Sequence, residues 1–268
     1  MYLVFDTETT GLPKNFNAPL SDSENWPRMV QIAWQLHDDD GTLIENQDYI
    51  IKPEGYDIPF NAARIHGITT KIAYEEGRDL EEILNEFAKV LEKVRVVSGH
   101  NVEFDYNIVG AEFYRKNIKD NLQEKPKADT MIFGTDCCQL GGGRGGRFKP
   151  PKLEELYEKL YGHKFDEAHN AAADVNATAQ VFFEMIRIGI IPAEVLKTSE
   201  DQLAYFKTLY PDPIKPFNII IRRQVADFNN KKKQQDFGSI DEIDLGRYFN
   251  FNSHSVFSTL MATSSIND

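Results

Sequence analysis

The N-terminal stretch of the chain is a short apolar run that ends in two carboxylates. Residues 2–5 are Tyr-Leu-Val-Phe, and Asp6 and Glu8 follow with one residue between them. A strand alternates its side chains with a period of two, so both acids leave one face and either share a cation or repel each other. Gly11 and Pro13 then end the strand. The acids therefore lie at its C-terminal end, where open α/β sheets keep their sites.

Length and composition are those of a chain with a sizeable core. Its 268 residues allow one large domain or one domain with an appendage, and 41% of them are hydrophobic. Neither an apolar run of about 18 residues nor a basic leader followed by an apolar segment occurs. The sequence therefore predicts no membrane span, no secretory signal and a cytoplasmic location.

Charge and cysteine content exclude several classes of protein. The net charge of −12 argues against a broad duplex-binding surface, because such surfaces need many Lys and Arg contacts to phosphates. It is compatible with a local site where metal ions supply the positive charge. The adjacent Cys137 and Cys138 cannot join distant segments, so neither a disulfide nor a zinc framework is expected.

Periodicity predicts an α/β arrangement. Apolar side chains alternate over residues 30–36, a turn signal occupies 38–41, and 43–51 is again extended, so the first three strands form an antiparallel meander. Five further elements are predicted: a helix over 80–91 that begins at Asp79, a buried strand over 95–100, a helix over 104–116, a weaker strand over 126–130, and a helix with Pro151 near its start and Gly162 at its end. An alanine-rich helix over 170–188 follows them.

Residues 141–146, Gly-Gly-Gly-Arg-Gly-Gly, contain a formal GxGxxG pattern. A dinucleotide site is rejected because no strong strand leads into the pattern and two prolines precede the next helix. The first interpretation is a flexible loop. The alternative is a loop whose Arg144, Arg147 and Lys149 contact a phosphate backbone.

Four acids stand at or near the ends of the predicted elements. Asp6 and Glu8 follow the first strand, Asp105 follows His100-Asn101-Val102-Glu103-Phe104, and Asp174 follows His169 and four further residues. Any one of these acids alone is more often a helix cap or a solvated charge. Four carboxylates that face one point would repel, unless they bind divalent cations.

These three blocks, in this order, resemble the motifs of the DnaQ-like, or DEDD, exonuclease superfamily. The resemblance covers roughly residues 1–190 and implies an α/β, RNase H-like fold with a mixed five-stranded sheet flanked by helices and followed by a C-terminal extension. One branch of the superfamily has Tyr four residues before the last acid, where this chain has Asn170. The other has His five residues before it, here His169, so the chain is similar to the DEDDh branch.

The resemblance implies a site and a chemistry. Two Mg²⁺ or Mn²⁺ ions, held by Asp6, Glu8, Asp105 and Asp174, would neutralise charge on the phosphate and activate water, with His169 as general base. The terminal nucleotide is expected to contact a further set of residues: Thr7, Thr9, Gly11, Leu12, His66, Asn101 and Phe104.

Residues 248–268 resemble the opening of the PHP domain of bacterial replicative polymerase α subunits. Asn250 and Asn252 replace the usual histidine ligands there, which argues against metal binding. The expected division is an exonuclease domain over 1–190, a linker-like extension over 191–247, and the PHP-like stretch or a surface tail over 248–268.

The expected function is 3′–5′ exonuclease activity on single-stranded or frayed DNA ends, releasing nucleoside 5′-monophosphates in replication proofreading, with polymerase III subunits as partners and no membrane. Two alternatives stay open. One is an RNA-trimming exoribonuclease of the same family, since nothing in the sequence reads the 2′-hydroxyl. The other is a noncatalytic end-binding or tethering module of a replication complex.

Overall fold

The computed structural model describes residues 1–165 and 171–219, which form a mixed sheet flanked by helices. The sheet order is β3-β2-β1-β4-β5, with β1, β2 and β3 antiparallel and with β4 and β5 parallel to β1. The strands are β1 (Tyr2–Thr9), β2 (Met29–His37), β3 (Leu43–Ile50), β4 (Val96–Gly99) and β5 (Lys127–Asp129). The predicted meander and the predicted five-stranded mixed sheet are confirmed.

Eight α-helices surround this sheet within the described ranges. Four of them, α3, α4, α6 and α7, correspond to predicted helices, and the capping role of Asp79 is confirmed because its side chain accepts from the Glu82 N–H. The helices are α1 (Phe60–His66), α2 (Thr70–Glu76), α3 (Leu80–Lys93), α4 (Val102–Lys116), α5 (Thr130–Cys138), α6 (Leu153–Tyr161), α7 (Ala171–Arg187) and α8 (Glu200–Leu209).

Two hydrophobic cores lie on opposite faces of the sheet. On one face Phe5 meets Phe87 of α3, with ring centroids 5.4 Å apart. On the other face Tyr2 meets Phe182 of α7 at 5.6 Å. Because side chains alternate along β1, odd-numbered positions face α3 and α4 while even-numbered positions face α7. This alternation decides which helix each acid of β1 meets.

The C-terminal part of the chain adds to the second core as far as it is described. Leu196, Leu203 and Phe206 are buried there, and the main-chain N–H of Ile214 donates to Glu184 on α7 at 3.0 Å. The boundary at residue 190 stays a prediction. Residues 220–268, which include the PHP-like stretch, lie outside the described residues.

The helices of the described ranges are too short or too polar to cross a bilayer. The longest, α7, has 17 residues, against the roughly 20 apolar residues that a spanning helix needs.

Candidate active site

The C-terminal end of β1 presents its acids toward α7. Asp6 and Glu8 share the even-numbered face with Tyr2 and Val4, whose side chains belong to the α7 core. The register of β1 with β2 shifts between Glu8 and Thr9. Regular pairing therefore ends just past the second acid.

The third acid of this cluster comes from the first turn of α7. One carboxylate oxygen each from Asp6, Glu8 and Asp174 lies within 4.8 Å of the other two. Ala171 and Ala177 of α7 are buried in the core shared with β1. Small side chains let the helix backbone approach the sheet closely, which brings Asp174 to the strand end.

The fourth acid, Asp105 of α4, reaches the strand end from the opposite face of the sheet. Thr7 lies between Asp6 and Glu8 and so points toward α4. Its Oγ1 donates to Asp105 Oδ1 at 2.6 Å, and its main-chain N–H donates to the same oxygen at 3.0 Å. The strand end thus has three carboxylates on one face and a fourth on the other, and all four line one cavity.

Electrostatics at this strand end disfavours ionisation of the metal-free carboxyls. Burial and the charges of Asp105, Glu8 and Asp174 hold the pKa of Asp6 well above its ordinary value. Burial and the charges of Asp174 and Asp105 do the same to the pKa of Glu8. Burial raises the pKa of Asp105 to about 7, although the two Thr7 donors lower it.

Three of the four acids have no counter-charge among the described side chains. Asp6, Glu8 and Asp105 form no ion pair with any lysine, arginine or histidine of the described ranges. Like charges this close cannot all ionise unless an external cation joins them. Hard divalent cations prefer carboxylate oxygens, so the donor set fits such ions.

The start of α4 is fixed by Asp129, a residue that the sequence did not single out. Asn101 adopts a left-handed conformation (φ 69°) between β4 and α4, and its N–H donates to Asp129 at 2.9 Å. The same Asp129 oxygen caps α5 by accepting from the Met131 N–H. Asp129 precedes an apolar run, which is an N-cap signal that could have identified it.

His100 is a second such residue. Its Nδ1 lies 3.0 Å from Thr130 Oγ1 and its Nε2 lies 3.0 Å from the Pro151 carbonyl oxygen. The ring therefore links the end of β4 to the segment before α6. Its place after a buried strand was visible in the sequence, but its two partners were not.

The cavity has a volume of about 370 Å³, and residues of α1 line it together with the four acids. All the predicted nucleotide contacts, Thr7, Thr9, Gly11, Leu12, His66, Asn101 and Phe104, line it. Their roles stay predictions. The sequence did not anticipate the other lining residues, which are Thr10, Pro59, Asn61, Ala62, Ile65, His100, Lys152, Leu153 and Thr178.

His66 is held as a neutral ring beside this cavity. The Ile68 N–H donates to its Nδ1 at 3.1 Å, so the proton of the neutral ring sits on Nε2. Burial lowers the pKa of His66 to about 4, although the nearby Thr9 backbone raises it. The Nε2 atom is buried and has no hydrogen-bond partner among the described residues. His66 can therefore donate a hydrogen bond at neutral pH.

The predicted general base falls outside the described part of the chain. His169 belongs to residues 166–170, which the structure does not describe. Its role stays a prediction.

Comparison with known proteins identifies similar sequences. Residues 3–182 match the profile of a family described as exonuclease (RNase_T). A PolC-type DNA polymerase III from Streptococcus thermophilus is 29% identical over 187 residues, which are 69% of this chain and 11% of that protein. The same type of protein from Mycoplasmopsis pulmonis is 26% identical over 165 residues, 62% of this chain and 10% of that protein. The chain thus spans about a tenth of the length of these relatives.

Solved structures of exonuclease I from E. coli share the fold. The complex with a dT13 oligonucleotide has a TM-score of 0.52 at 25% identity and covers 66% of this chain and 39% of that one. The zinc-bound form of its single-stranded DNA complex has a TM-score of 0.52 at 22% identity, covering 76% and 42%. These likenesses confirm the predicted RNase H-like architecture.

Proposed function

The chain belongs to the exonuclease family, as a DnaQ-like member, and from this premise we propose that it removes nucleotides from the 3′ end of single-stranded or frayed DNA. Products would be nucleoside 5′-monophosphates. The observation that carries the proposal is the set of three carboxylates within 4.8 Å of one another, with Asp105 beside them in one cavity. A binding module without catalysis has no need to hold mutually repelling acids at one point.

In this proposal Asp6, Glu8, Asp105 and Asp174 hold two divalent cations, Mg²⁺ or Mn²⁺. Such ions, when bound, would neutralise charge on the scissile phosphate and lower the pKa of the attacking water. The Thr7 hydroxyl and N–H orient the Asp105 carboxylate through the two hydrogen bonds to Oδ1.

The remaining roles concern the proton and the nucleotide. His169 would accept the proton of the attacking water, as general bases with a pKa near neutrality do. The turn at Thr9 and Gly11, together with Leu12, His66, Asn101 and Phe104, would hold the terminal nucleotide in the cavity. Because Thr9 Oγ1 donates to the Gly11 carbonyl at 2.7 Å, this turn has a defined shape before substrate binds.

The biological setting follows from the similar proteins. Because PolC-type polymerases match this chain, we infer a role in replication proofreading with polymerase III subunits as partners. The substrate would then be the frayed 3′ end of a primer.

The polarity of digestion tests the proposal. One DNA oligonucleotide is labelled at its 5′ end and, in a second preparation, at its 3′ end, and each is incubated with the full chain and Mg²⁺. We expect a descending ladder from the 5′ label and immediate release of a labelled mononucleotide from the 3′ label. Label release in the opposite order, or no Mg²⁺-dependent shortening, would overturn the proposal.

Two further arms of this assay refine it. His169→Ala should abolish shortening, whereas His163→Ala, a change at an exposed histidine outside the predicted motif, should leave it intact. Equal activity of both variants would remove His169 from the mechanism. An RNA oligonucleotide of the same sequence measures the preference for DNA, and faster digestion of RNA would assign the chain to RNA trimming.

A further inference from the structure

A strongly basic segment lies beside the candidate active site of this acidic protein. Residues 137–153 contain four cations and no aspartate or glutamate, in a chain whose net charge is −12. Within it, Leu140 and Lys149 pair as an antiparallel bridge, and we call residues 140–149 the Gly/Arg hairpin. The four cations are Arg144, Arg147, Lys149 and Lys152.

Glycines give the Gly/Arg hairpin a specific shape. A Cβ atom on Gly143 would lie 2.3 Å from the Arg147 carbonyl oxygen and 2.5 Å from that of Phe148, so only glycine lets the two arms of the hairpin approach this closely. Gly145 and Gly146 adopt positive φ angles of 65° and 75°, which glycine accommodates without strain. The glycines therefore give the hairpin a defined backbone conformation, and the side chains at its tip are exposed to solvent.

The tip of the Gly/Arg hairpin displays cations and a ring to solvent. Arg144 and Arg147 are exposed, and neither has an ion pair with a residue of the described ranges. Phe148, between Arg147 and Lys149, is 42% exposed. Exposed arginines beside an aromatic ring are the combination that proteins use to bind single strands, through phosphate contacts and base stacking.

The base of the Gly/Arg hairpin adjoins the cavity. Lys149 is two residues before Pro151, whose carbonyl contacts His100, and Lys152 lines the cavity itself. A chain spans at most about 3.5 Å per residue, so Arg147 lies within roughly 14 Å of Pro151. A strand whose 3′ end occupies the cavity can thus reach the arginines within a few nucleotides.

We propose that the Gly/Arg hairpin binds the phosphate backbone of a single strand on the 5′ side of the terminal nucleotide, with Phe148 as a stacking surface. This inference rests on the proposed function for the direction of the strand. It assigns the hairpin to substrate retention, so its loss weakens binding of long strands and leaves bond cleavage in the cavity intact.

The test measures binding separately from hydrolysis. Fluorescence anisotropy of 5′-labelled dT12 in EDTA compares the wild-type chain with the Arg144→Ala/Arg147→Ala variant. We expect affinity to fall at least about tenfold and the slope of log K against log salt to fall by about 1.4, which is two phosphate contacts at about 0.7 each. Arg144→Lys/Arg147→Lys should retain most of the affinity, because lysine also binds phosphate as a point charge.

A control double variant removes the same number of positive charges at positions away from the hairpin. Lys119→Ala/Lys207→Ala removes two exposed cations, one beyond the C-terminal end of α4 and one on α8. We expect little change in affinity from this pair. Equal weakening by both double variants would overturn the proposal, since it would show an effect of overall charge alone.

Comparing a short and a long substrate distinguishes weaker binding of the strand from damage to the active site. With Mg²⁺, the arginine variant should hydrolyse a dinucleotide at the wild-type rate and show a raised KM with unchanged kcat on dT12. Equal losses on both substrates, or unchanged dT12 binding, would overturn the inference. If the wild-type chain hydrolyses neither substrate, the proposed function fails, while the anisotropy measurement still decides whether the hairpin binds strands. The single substitutions serve if the double variant does not fold.

Discussion

Asp105 and Glu112 lie seven residues apart on one face of α4, and both are buried, yet their surroundings differ. Glu112 Oε1 accepts from Arg28 Nε at 2.9 Å and from the Met29 N–H at 2.9 Å, and it pairs with Arg115 at 3.0 Å. Asp105 accepts two hydrogen bonds from Thr7, and its charge raises the pKa values of Asp6 and Glu8.

This contrast distinguishes a structural acid from a functional one. The protein supplies two arginine counter-charges to Glu112 from within, although the buried Oε2 of that carboxylate has no hydrogen-bond partner in the described structure. By contrast, no lysine, arginine or histidine of the described ranges forms an ion pair with Asp6, Glu8 or Asp105. The pKa values of these three acids are raised. A buried acid that the fold leaves uncompensated indicates a position where a cation binds.

The largest effect is expected at the uncompensated cluster. Asp6→Asn removes a predicted metal ligand, and because bound metals contribute several kcal/mol to the transition state, exonuclease activity should fall roughly 10³-fold or more. The same change relieves repulsion between carboxylates, so Tm in EDTA should stay level or rise. Nuclease assays and thermal melts of one preparation measure both. Full activity of the variant, or a Tm in EDTA well below that of the wild type, would show that Asp6 is a structural acid like Glu112.

The compensated acid should behave in the opposite way. Glu112→Gln leaves Arg28 and Arg115 without their buried partner, and the free energy of unfolding should fall by about 3 kcal/mol. Urea denaturation measures it, while activity per folded molecule stays near wild type. Glu54→Gln is the matched control, because that acid pairs with Arg28 at a more exposed position and should cost less than about 1 kcal/mol. Equal costs would show that burial of Glu112 does not matter.

Metal should stabilise the protein in a pH-dependent way. The folded pKa of Asp105 is about 7 against 3.8 unfolded, so the metal-free fold binds more protons and loses stability as pH rises from about 4 to 7. Metal displaces those protons. At a hundredfold excess over Kd, Mg²⁺ contributes about 2.7 kcal/mol, or roughly 5–10 °C in Tm, at pH 8. Calorimetry at pH 5.5 should show a much smaller shift; equal shifts at both pH values would refute the coupling.

The smallest effect is expected at the hydrogen bond from Thr7. Thr7→Val removes the Oγ1 donor and keeps the N–H donor, so Asp105 loses about 1 kcal/mol of support, and activity falls roughly fivefold at neutral pH. Because that donor lowers the pKa of Asp105, its loss shifts the acidic limb of the pH–rate profile upward. Thr7→Ser keeps the hydroxyl and should keep the profile. Identical profiles for Val and Ser would show that the hydrogen bond has no role.

Parts of the fold with strong local patterns could be predicted from the sequence. The meander and α3 were found because alternation and helical spacing are visible in short windows, and the weak strand signal over 126–130 corresponds to β5. The helices α1, α2, α5 and α8 were not predicted. They have seven to ten residues, so their periodicity has little length in which to show. Their formation depends on packing against the sheet.

Some residues of the candidate site could likewise be predicted from the sequence, and others could not. The four acids could be named from motif order, but the Asp129 contact to Asn101 and the His100 contact to Pro151 joined segments about 30 and 50 residues apart. Such pairs leave no local pattern, because each partner alone is an ordinary polar residue. A single sequence therefore identifies candidate ligands far better than it identifies the residues that position them.

The sequence by itself determined that Asp6 and Glu8 share one face of a strand end, since a period of two is a property of the extended backbone. Tertiary structure alone decided that this face meets Asp174 of α7, while Thr7 turns to Asp105 of α4. The reason is that both faces of the sheet are buried, each against a different group of helices. Odd- and even-numbered side chains of β1 point to opposite faces and therefore meet different helices. Convergence of the acids is a consequence of that layering.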